Sequence, residues 1–159
     1  MAITSLAKTF DEFTVGEKMV FPLVTITEAH VVAWAGLSGD FNPLHMNQEY
    51  AKTTTTGAKV GGMVPHGQFM AAISVTPIGH LLAGTAIAFL DLSFQFKAPF
   101  GVGDTLYVEV EVADKKPSTK YDGGMVRFDL TTRNQQGTAV IEGSAAFLIS
   151  RENTLKLPY

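Results

Sequence analysis

The segment HGQFMAAISVTPIGHLLAG, residues 66–84, decides the fold of this chain. From residue 67 to residue 74 it is apolar on nearly every side of a helical projection, which is typical of a helix in a protein interior. Pro77 is expected to kink or end this helix, and Gly84 marks a turn beyond it. We therefore predict a central buried helix that the rest of the chain wraps.

Downstream of this helix, apolar and polar residues alternate with the period of two that is typical of strands with one buried face. The apolar sets are Leu106, Val108, Val110 and Val112; Val126, Phe128 and Leu130; and Ala139, Ile141, Ala145, Phe147 and Ile149. In residues 86–97 the apolar parity switches between Phe89 and Leu92. One extra residue causes such a switch, so we predict a β-bulge near Leu90 and Asp91.

Three clusters of turn residues separate these stretches, at 101–103, 115–124 and 134–137. Such clusters are typical of hairpins, and we expect them to join the strands as antiparallel neighbours. The long 115–124 connection is interpreted as a solvated hairpin tip, although its lysines could instead reach a bound nucleotide. The predicted fold class is α+β: a single domain over residues 1–159, in which a curled antiparallel β-sheet wraps one buried helix.

The first third of the chain predicts shorter elements. Pro22 interrupts a short apolar strand, and since proline lacks a backbone donor this strand should lie at an edge or a bulge. Thr27 is a candidate N-cap for a helix that ends near Ser38. Asn47 is the next candidate N-cap, of a short helix, and the run of four threonines before Gly57 predicts a loop.

The composition limits the class of protein. Of the 159 residues, 46% are hydrophobic and 17% are charged, with a net charge of -3, which excludes a disordered chain and argues against nucleic acid or an anionic membrane as partner. No apolar run reaches the roughly 20 residues of a spanning helix, and the first residues lack the apolar h-region of a secretory signal. The sequence has no cysteine, which removes disulfides and thiolate chemistry. We expect a cytoplasmic globular protein.

The segment SGDFNPLH, residues 38–45, carries residues suited to acid–base chemistry. Pro43 fixes one backbone angle and biases Asn42 away from the helical region, so a bent loop could direct Asp40 and His45 to one point. Adding water to a C=C bond conjugated to a carbonyl needs one group to take a proton from water and another to deliver a proton to the α carbon. Asp, Asn and Pro are also favoured in ordinary turns, so the pattern alone leaves a purely structural turn open.

The reaction has a third requirement, which is a site that stabilises negative charge on the carbonyl oxygen. The start of the buried helix can meet it. Backbone N–H groups at a helix N-terminus lack intrahelical acceptors and lie at the positive end of the helix dipole. Gly67 opens this helix and has no Cβ, so a substrate carbonyl can approach its N–H closely.

The other histidines are interpreted first as structural residues. His30 lies on the first helix and His80 in the turn after the buried helix. His66 is typical of a helix-start residue that donates to a backbone carbonyl. Four dispersed histidines, without an HExxH pattern or cysteine, predict no metal site. Ser74 has no GxSxG turn around it and should bond to its own helix backbone.

Three motifs, SGDFNPLHMNQEYA, VPHGQFM and FQFKAPFGVGDTL, occur in this order and together resemble the MaoC-like dehydratases, and among them the (R)-specific enoyl-CoA hydratases. The resemblance covers most of the chain and implies the hot-dog fold. It implies that Asp40 and His45 hold and activate the water. It also implies that Asn42 helps to position them and that the N–H of Gly67 binds the thioester carbonyl.

From the second motif we further assign His66 and Phe69 as substrate-binding residues, beside Asn42. The resemblance implies no metal and no redox cofactor, because coenzyme A arrives as part of the substrate. Family members dimerise by joining sheets edge to edge, so a homodimer or a higher homo-oligomer is expected. One departure concerns a serine that some members place eight residues after the glycine, where this chain has Val75.

The function expected from the sequence is reversible hydration of a trans-2-enoyl-CoA to the (R)-3-hydroxyacyl-CoA, or the reverse dehydration. Two alternatives of other classes stay open. One is a hot-dog thioesterase, which would hydrolyse an acyl-CoA, and the other is a non-catalytic domain that binds acyl thioesters. Dehydration of acyl chains on a carrier protein also stays open, and the sequence does not specify the length of the acyl chain.

Overall fold

A computed structural model describes residues 7–154 as five strands and five α-helices, with one short 3-10 helix. The 3-10 helix is Phe10–Glu12. The α-helices are α1 (Glu28–Ser38), α2 (Pro43–Met46), α3 (Gln48–Thr53), α4 (Thr55–Val60) and α5 (Gly67–Leu81). The strands are β1 (Lys18–Thr25), β2 (Ala86–Phe96), β3 (Thr105–Pro117), β4 (Gly123–Arg133) and β5 (Ala139–Ser150).

The strands form one antiparallel sheet in the order β1-β3-β4-β5-β2. Hairpins join β3 to β4 and β4 to β5, as the turn clusters predict. The prediction for residues 101–103 is wrong, because β2 and β3 are not neighbours in the sheet. The chain leaves β2 at one edge and crosses to β3 beside the other edge. The α+β class and the curled sheet are confirmed.

The inner face of the sheet packs on α5 to form the core. The predicted apolar sets of β3 and β4 are buried, and so is that of β5 except for half-buried Ala139. Near the C-terminal end of α5, Ile78 and Leu82 pack among β3, β4 and β5. Near its N-terminal end, Phe69 and Met70 belong to a second apolar cluster. The helix therefore spans both halves of the core.

The burial of α5 is one-sided. In the single chain, the helix is therefore not buried around its whole circumference. Its five buried residues are Phe69, Met70, Ser74, Pro77 and Ile78. Gln68 and Thr76 are exposed, and Val75 is half-buried. One sheet covers one side of the helix, which leaves the opposite side partly open.

The expectation that Pro77 could end the buried helix is wrong, since α5 continues to Leu81. Proline removes one N–H donor from a helix interior. Pro77 and the following Ile78 are both buried, so their packing compensates for the lost hydrogen bond. Ser74 bonds to its own helix as predicted, its hydroxyl donating to the Met70 carbonyl at 2.8 Å.

Both edges of the sheet agree with the sequence. Pro22 lies in β1, an edge strand, and the register with β3 shifts between Pro22 and Thr25. In β2, the other edge strand, the register with β5 shifts between Phe89 and Asp91, which confirms the predicted bulge. A second shift between Ala86 and Ala88 was not anticipated.

The short helices before α5 agree with most of the capping predictions. Thr27 is the N-cap of α1, which ends at Ser38, and Asn47 caps α3 by accepting from the N–H of Tyr50. The predicted loop at the threonine run is wrong, because α4 begins there. The Thr54 hydroxyl accepts from the N–H of Gly57 at 3.0 Å and so caps α4.

The hairpin tip between β3 and β4 is shorter than the predicted 115–124 connection, because both ends of that segment belong to the strands. Lys120 and Tyr121 at the tip are exposed, which agrees with a solvated turn. Lys115 is not available to a ligand, since its Nζ donates to the Phe13 carbonyl at 2.8 Å.

No helix within residues 7–154 is long and apolar enough to cross a membrane. The predicted absence of a secretory signal concerns the first residues of the chain, and residues 1–6 lie outside the described part.

Candidate active site

Asp40 lies in the short turn between α1 and α2. Gly39 ends α1 with a φ of 78°, a left-handed conformation that favours glycine. The Asp40 N–H donates to the Ser38 hydroxyl at 3.2 Å, and its Oδ1 accepts from the Asn42 N–H at 3.2 Å. The main chain therefore holds one carboxylate oxygen and leaves Oδ2 directed elsewhere.

His45 lies on α2, a single turn of helix, rather than in the bent loop that the sequence predicted. Asn42 is its N-cap and accepts from the Leu44 N–H at 2.9 Å, and Pro43 occupies the first helical position. His45 Nδ1 lies 2.5 Å from the Val64 carbonyl oxygen. Because a carbonyl only accepts, Nδ1 carries the hydrogen and Nε2 of the neutral ring presents a lone pair.

The structure brings the predicted pair together. His45 Nε2 lies 3.8 Å from Asp40 Oδ2, and the two side chains are 13% and 42% exposed. This separation is too long for a direct hydrogen bond, but one water molecule beside both atoms could bond to each. The arrangement suits a water held by a carboxylate and an imidazole lone pair.

Gly67 begins α5 beside this pair. No acceptor for its N–H is found among residues 7–154, and the preceding His66 makes no side-chain cap. His45 and Gly67 line the same cavity of about 350 Å³. The cavity is also lined by Thr56, Val64, Pro65, Phe96, Lys97, Ala98, Pro99 and Phe100. A free helix N-terminus thus faces the cavity that the imidazole enters.

His66 is fully buried and contacts both members of the pair. Its Nε2 lies 2.8 Å from the Asp40 carbonyl oxygen, as the structural interpretation predicted. Its ring stacks on that of His45, with centroids 3.9 Å apart and planes 28° apart. Its Nδ1 is buried and has no hydrogen-bond partner within the described part of the chain. Full burial favours a supporting position over direct contact with a substrate, and the assigned substrate-binding role stays a prediction.

Phe69 is placed elsewhere. Its side chain is 9% exposed and packs in the apolar core against His30 and Trp34, with ring centroids 5.8 Å away in each case. It is not among the residues that line the cavity with Gly67. Its substrate-binding role also stays a prediction, which this placement does not favour.

Three side chains of the site could in principle surround a cation. Asp40, His45 and His66 each offer one ligand atom, all within 4.8 Å of one another. The prediction that the histidines are dispersed is therefore wrong for His45 and His66. His45 Nδ1 and His66 Nε2 are engaged with main-chain carbonyls, and the two rings are stacked face to face rather than converging.

Phe96 and Phe100 in the cavity wall were missed by the sequence reasoning. Phe96 pairs with Ile141 on β5, so it lies on the same face of the sheet as Ile141, which is fully buried. The shifted parity after the bulge was the signal that could have assigned this position. Phe100 has a buried ring 6.0 Å from that of Phe96 and follows β2, where no strand pattern is visible.

The family model described as MaoC like domain matches residues 11–134. An (R)-specific enoyl-CoA hydratase of Rhodospirillum rubrum is 35% identical over 125 residues, which cover 79% of this chain and 81% of that protein. An unliganded R-hydratase of Pseudomonas aeruginosa is similar in structure, with a TM-score of 0.74 and 29% identity over 95% of this chain and 94% of that one. A Mycobacterium tuberculosis protein with a double hotdog fold has a TM-score of 0.80 and 19% identity, and this chain covers 46% of it.

Proposed function

The chain belongs to the MaoC-like dehydratase family and has its hot-dog fold, and from that premise we propose that it catalyses reversible hydration of a trans-2-enoyl-CoA to the (R)-3-hydroxyacyl-CoA. The hydratase names of the relatives above, which are names of hydro-lyases, support this reaction. The observation that carries the proposal is the 3.8 Å between His45 Nε2 and Asp40 Oδ2, beside a cavity that the N-terminus of α5 lines.

The first step is addition of water. The Asp40 carboxylate accepts one hydrogen bond from a water molecule, and the lone pair of His45 Nε2 takes the other proton of that water. The water oxygen forms a bond to the β carbon, and the C=C electron pair moves towards the thioester carbonyl. The hydrogen bond from His45 Nδ1 to the Val64 carbonyl keeps Nε2 the basic nitrogen before this step.

The second step returns the same proton. The imidazolium of His45 delivers it from Nε2 to the α carbon, which restores the neutral ring and completes the addition of one water. Between the steps, negative charge lies on the thioester oxygen. A hydrogen bond from the free N–H of Gly67 stabilises that charge, with the positive end of the α5 dipole behind it.

We propose that this chemistry uses no metal and no redox cofactor. Each step moves a proton between a side chain and the substrate, and no electron is transferred. Coenzyme A enters only as part of the substrate. The neutral imidazole and the carboxylate activate the water directly, so a cation among Asp40, His45 and His66 is not required by the reaction.

We propose a homodimer formed through β2. Apolar side chains of this edge strand are 42–53% exposed in the single chain, namely Ile87, Phe89, Leu90, Leu92 and Phe96. Such an exposed apolar strand at a sheet edge is suited to pairing with a second copy. Edge-to-edge pairing would also bring a second subunit close to the cavity, since Phe96 belongs to both features. The cytoplasmic location stays a prediction.

One assay separates this proposal from its two alternatives. Purified protein is given saturated and trans-2-unsaturated acyl-CoAs of short, long, branched and aromatic type, and both enoyl absorbance and free thiol are followed. Hydration lowers the absorbance without releasing thiol, and the product is tested for the (R) configuration. Release of thiol from saturated and unsaturated acyl-CoAs alike would show a thioesterase. Ligand binding without either signal would show a non-catalytic domain.

A further inference from the structure

The segment from Val64 to His66 holds the catalytic turn by three hydrogen bonds. The Val64 N–H donates to the Leu44 carbonyl at 3.2 Å, and the Val64 carbonyl accepts from His45. His66 Nε2 completes the set by bonding to the Asp40 carbonyl. Because that carbonyl only accepts, Nε2 of His66 carries the hydrogen. One side chain at the start of α5 thus fixes the main chain at Asp40, 26 residues away in the sequence.

The same side chain also determines the plane of the catalytic ring. His66 stacks on His45 at 3.9 Å, so the His45 ring cannot rotate toward His66 without losing this contact. The bond of His45 Nδ1 to Val64 holds the ring at its edge, and the stack holds its face. These two contacts leave Nε2 directed at Asp40 Oδ2.

The buried Nδ1 of His66, which has no partner among the described residues, indicates why position 66 is a histidine. A buried polar atom without a partner is costly, and most buried polar atoms in proteins have one. An apolar residue of similar shape would avoid this cost but would lose the N–H to Asp40. An amide would keep a donor but lose the aromatic face. Only a flat ring with a donor at its tip meets both demands.

On the basis of the proposed function, we infer that His66 is a positioning residue for the hydration. It does not touch the substrate. It holds the Asp40 main chain through Nε2 and the His45 ring through stacking, and so maintains the separation of Asp40 Oδ2 and His45 Nε2 at which both can bond to one water.

Three variants separate the two contacts. His66→Gln keeps a donor near the position of Nε2 and loses the ring, His66→Phe keeps the ring and loses the donor, and His66→Ala loses both. His30→Gln is the control, since His30 also bonds to a helix cap and packs on an aromatic ring but lies on α1. For each folded variant, kcat and KM on an enoyl-CoA, thermal unfolding and a crystal structure are determined.

We expect His66→Ala to lower kcat by about 10- to 100-fold, as misplacement of reacting groups by about 1 Å does, with KM nearly unchanged. His66→Gln and His66→Phe should each recover part of the loss, and His30→Gln should behave as the wild type. In the crystal structures of the impaired variants, the Asp40 Oδ2 to His45 Nε2 distance should differ from that of the wild type.

Two results would overturn the inference while leaving the proposed function standing. One is a normal kcat in His66→Ala, and the other is a raised KM with unchanged kcat, which would indicate direct contact with substrate. An inactive wild type would instead refute the proposed function. In that case the crystal structures still decide the positioning role, because an unchanged Asp40–His45 distance in His66→Ala contradicts it.

Discussion

The tip of the Phe96 ring stands directly over Gly67. A Cβ placed on that glycine would lie 2.8 Å from Cζ of Phe96, closer than such atoms pack in proteins. The glycine leaves room for the Phe96 ring in the cavity wall, and in the proposed reaction it also lets a carbonyl reach its N–H. Phe96 is 52% exposed, so its ring has space to move.

Substitution of Gly67 tests this relationship. Gly67→Ala keeps the N–H but forces the Phe96 ring in the cavity wall to move, so we expect kcat/KM to fall by about 10- to 100-fold. Gly67→Ala combined with Phe96→Leu should recover part of this loss, because the smaller side chain relieves the overlap. Steady-state kinetics of both variants and of Phe96→Leu alone measure the coupling. Strict additivity would show that the contact does not matter.

Removal of either group that activates the water should abolish most of the turnover. Asp40→Asn and His45→Gln should each lower kcat by about two orders of magnitude or more, the usual scale for such groups. The thermal unfolding temperature should change little, because Asp40 is partly exposed and His45 lies on a helix of a single turn. His80→Gln, an exposed histidine near the end of α5, is the control. Near-normal activity of either variant would contradict the assignment.

Removal of metal should leave the activity unchanged. The protein is dialysed against a chelator and assayed for hydration, and a second sample receives Zn²⁺ in excess. We expect full activity in the first sample, since only protons are transferred. Loss of activity on dialysis, with recovery on adding the ion, would mean that the cluster of Asp40, His45 and His66 holds a functional metal.

A charge on the exposed edge strand should dissociate the proposed dimer. Leu92→Glu places a carboxylate on β2, and Val24→Glu is a matched control on β1, because both native side chains are 42% exposed. The molar mass in solution should fall to that of one chain for Leu92→Glu and stay at twice that value for Val24→Glu. A monomeric wild type, or equal behaviour of the two variants, would exclude β2 as the interface.

A capping box before β1 should make stability depend on pH. The backbone N–H and the hydroxyl of Thr9 both donate to the Glu12 carboxylate, at 2.7 and 2.9 Å, and these bonds lower the pKa of Glu12. The stabilisation is present above the ordinary Glu pKa and is lost as the pH falls through the lowered value. Glu12→Gln should therefore be less stable than the wild type at neutral pH, with the difference closing in acid. Denaturant unfolding at several pH values measures this, and a difference that persists in acid would contradict it.

Local sequence signals identified most of the elements. The parity switch between Phe89 and Leu92 located the bulge, and Pro22 identified an edge strand, because each pattern depends only on neighbouring residues. Thr27 and Asn47 were recognised as caps for the same reason. Turn residues and capping residues overlap, however, and for this reason the threonine run predicts a loop where the structure has α4.

Contacts between distant segments had no such signal. The order of the strands depends on which surfaces pack on α5, so the crossover from β2 to β3 could not be predicted from a glycine-rich turn. The contact of His66 with Asp40 joins residues far apart in the sequence, and it was anticipated only as a bond to some carbonyl. The resemblance to a family identified Asp40 and His45 as candidates, whereas only the fold showed which contacts hold these two residues in place.

The two edges of the sheet differ, and this difference has a consequence for the proposed dimer. On β1, Pro22 lacks an N–H and the register breaks after it, whereas β2 pairs regularly with β5 from Asp91 to Phe96. Two copies that meet through β2 around a twofold axis would pair the regular part of each β2, and the outer edges that remain would be the interrupted β1 strands. The joined sheet would then end at two interrupted edges, so the difference between β1 and β2 would limit the proposed assembly to two copies and disfavour growth into fibres.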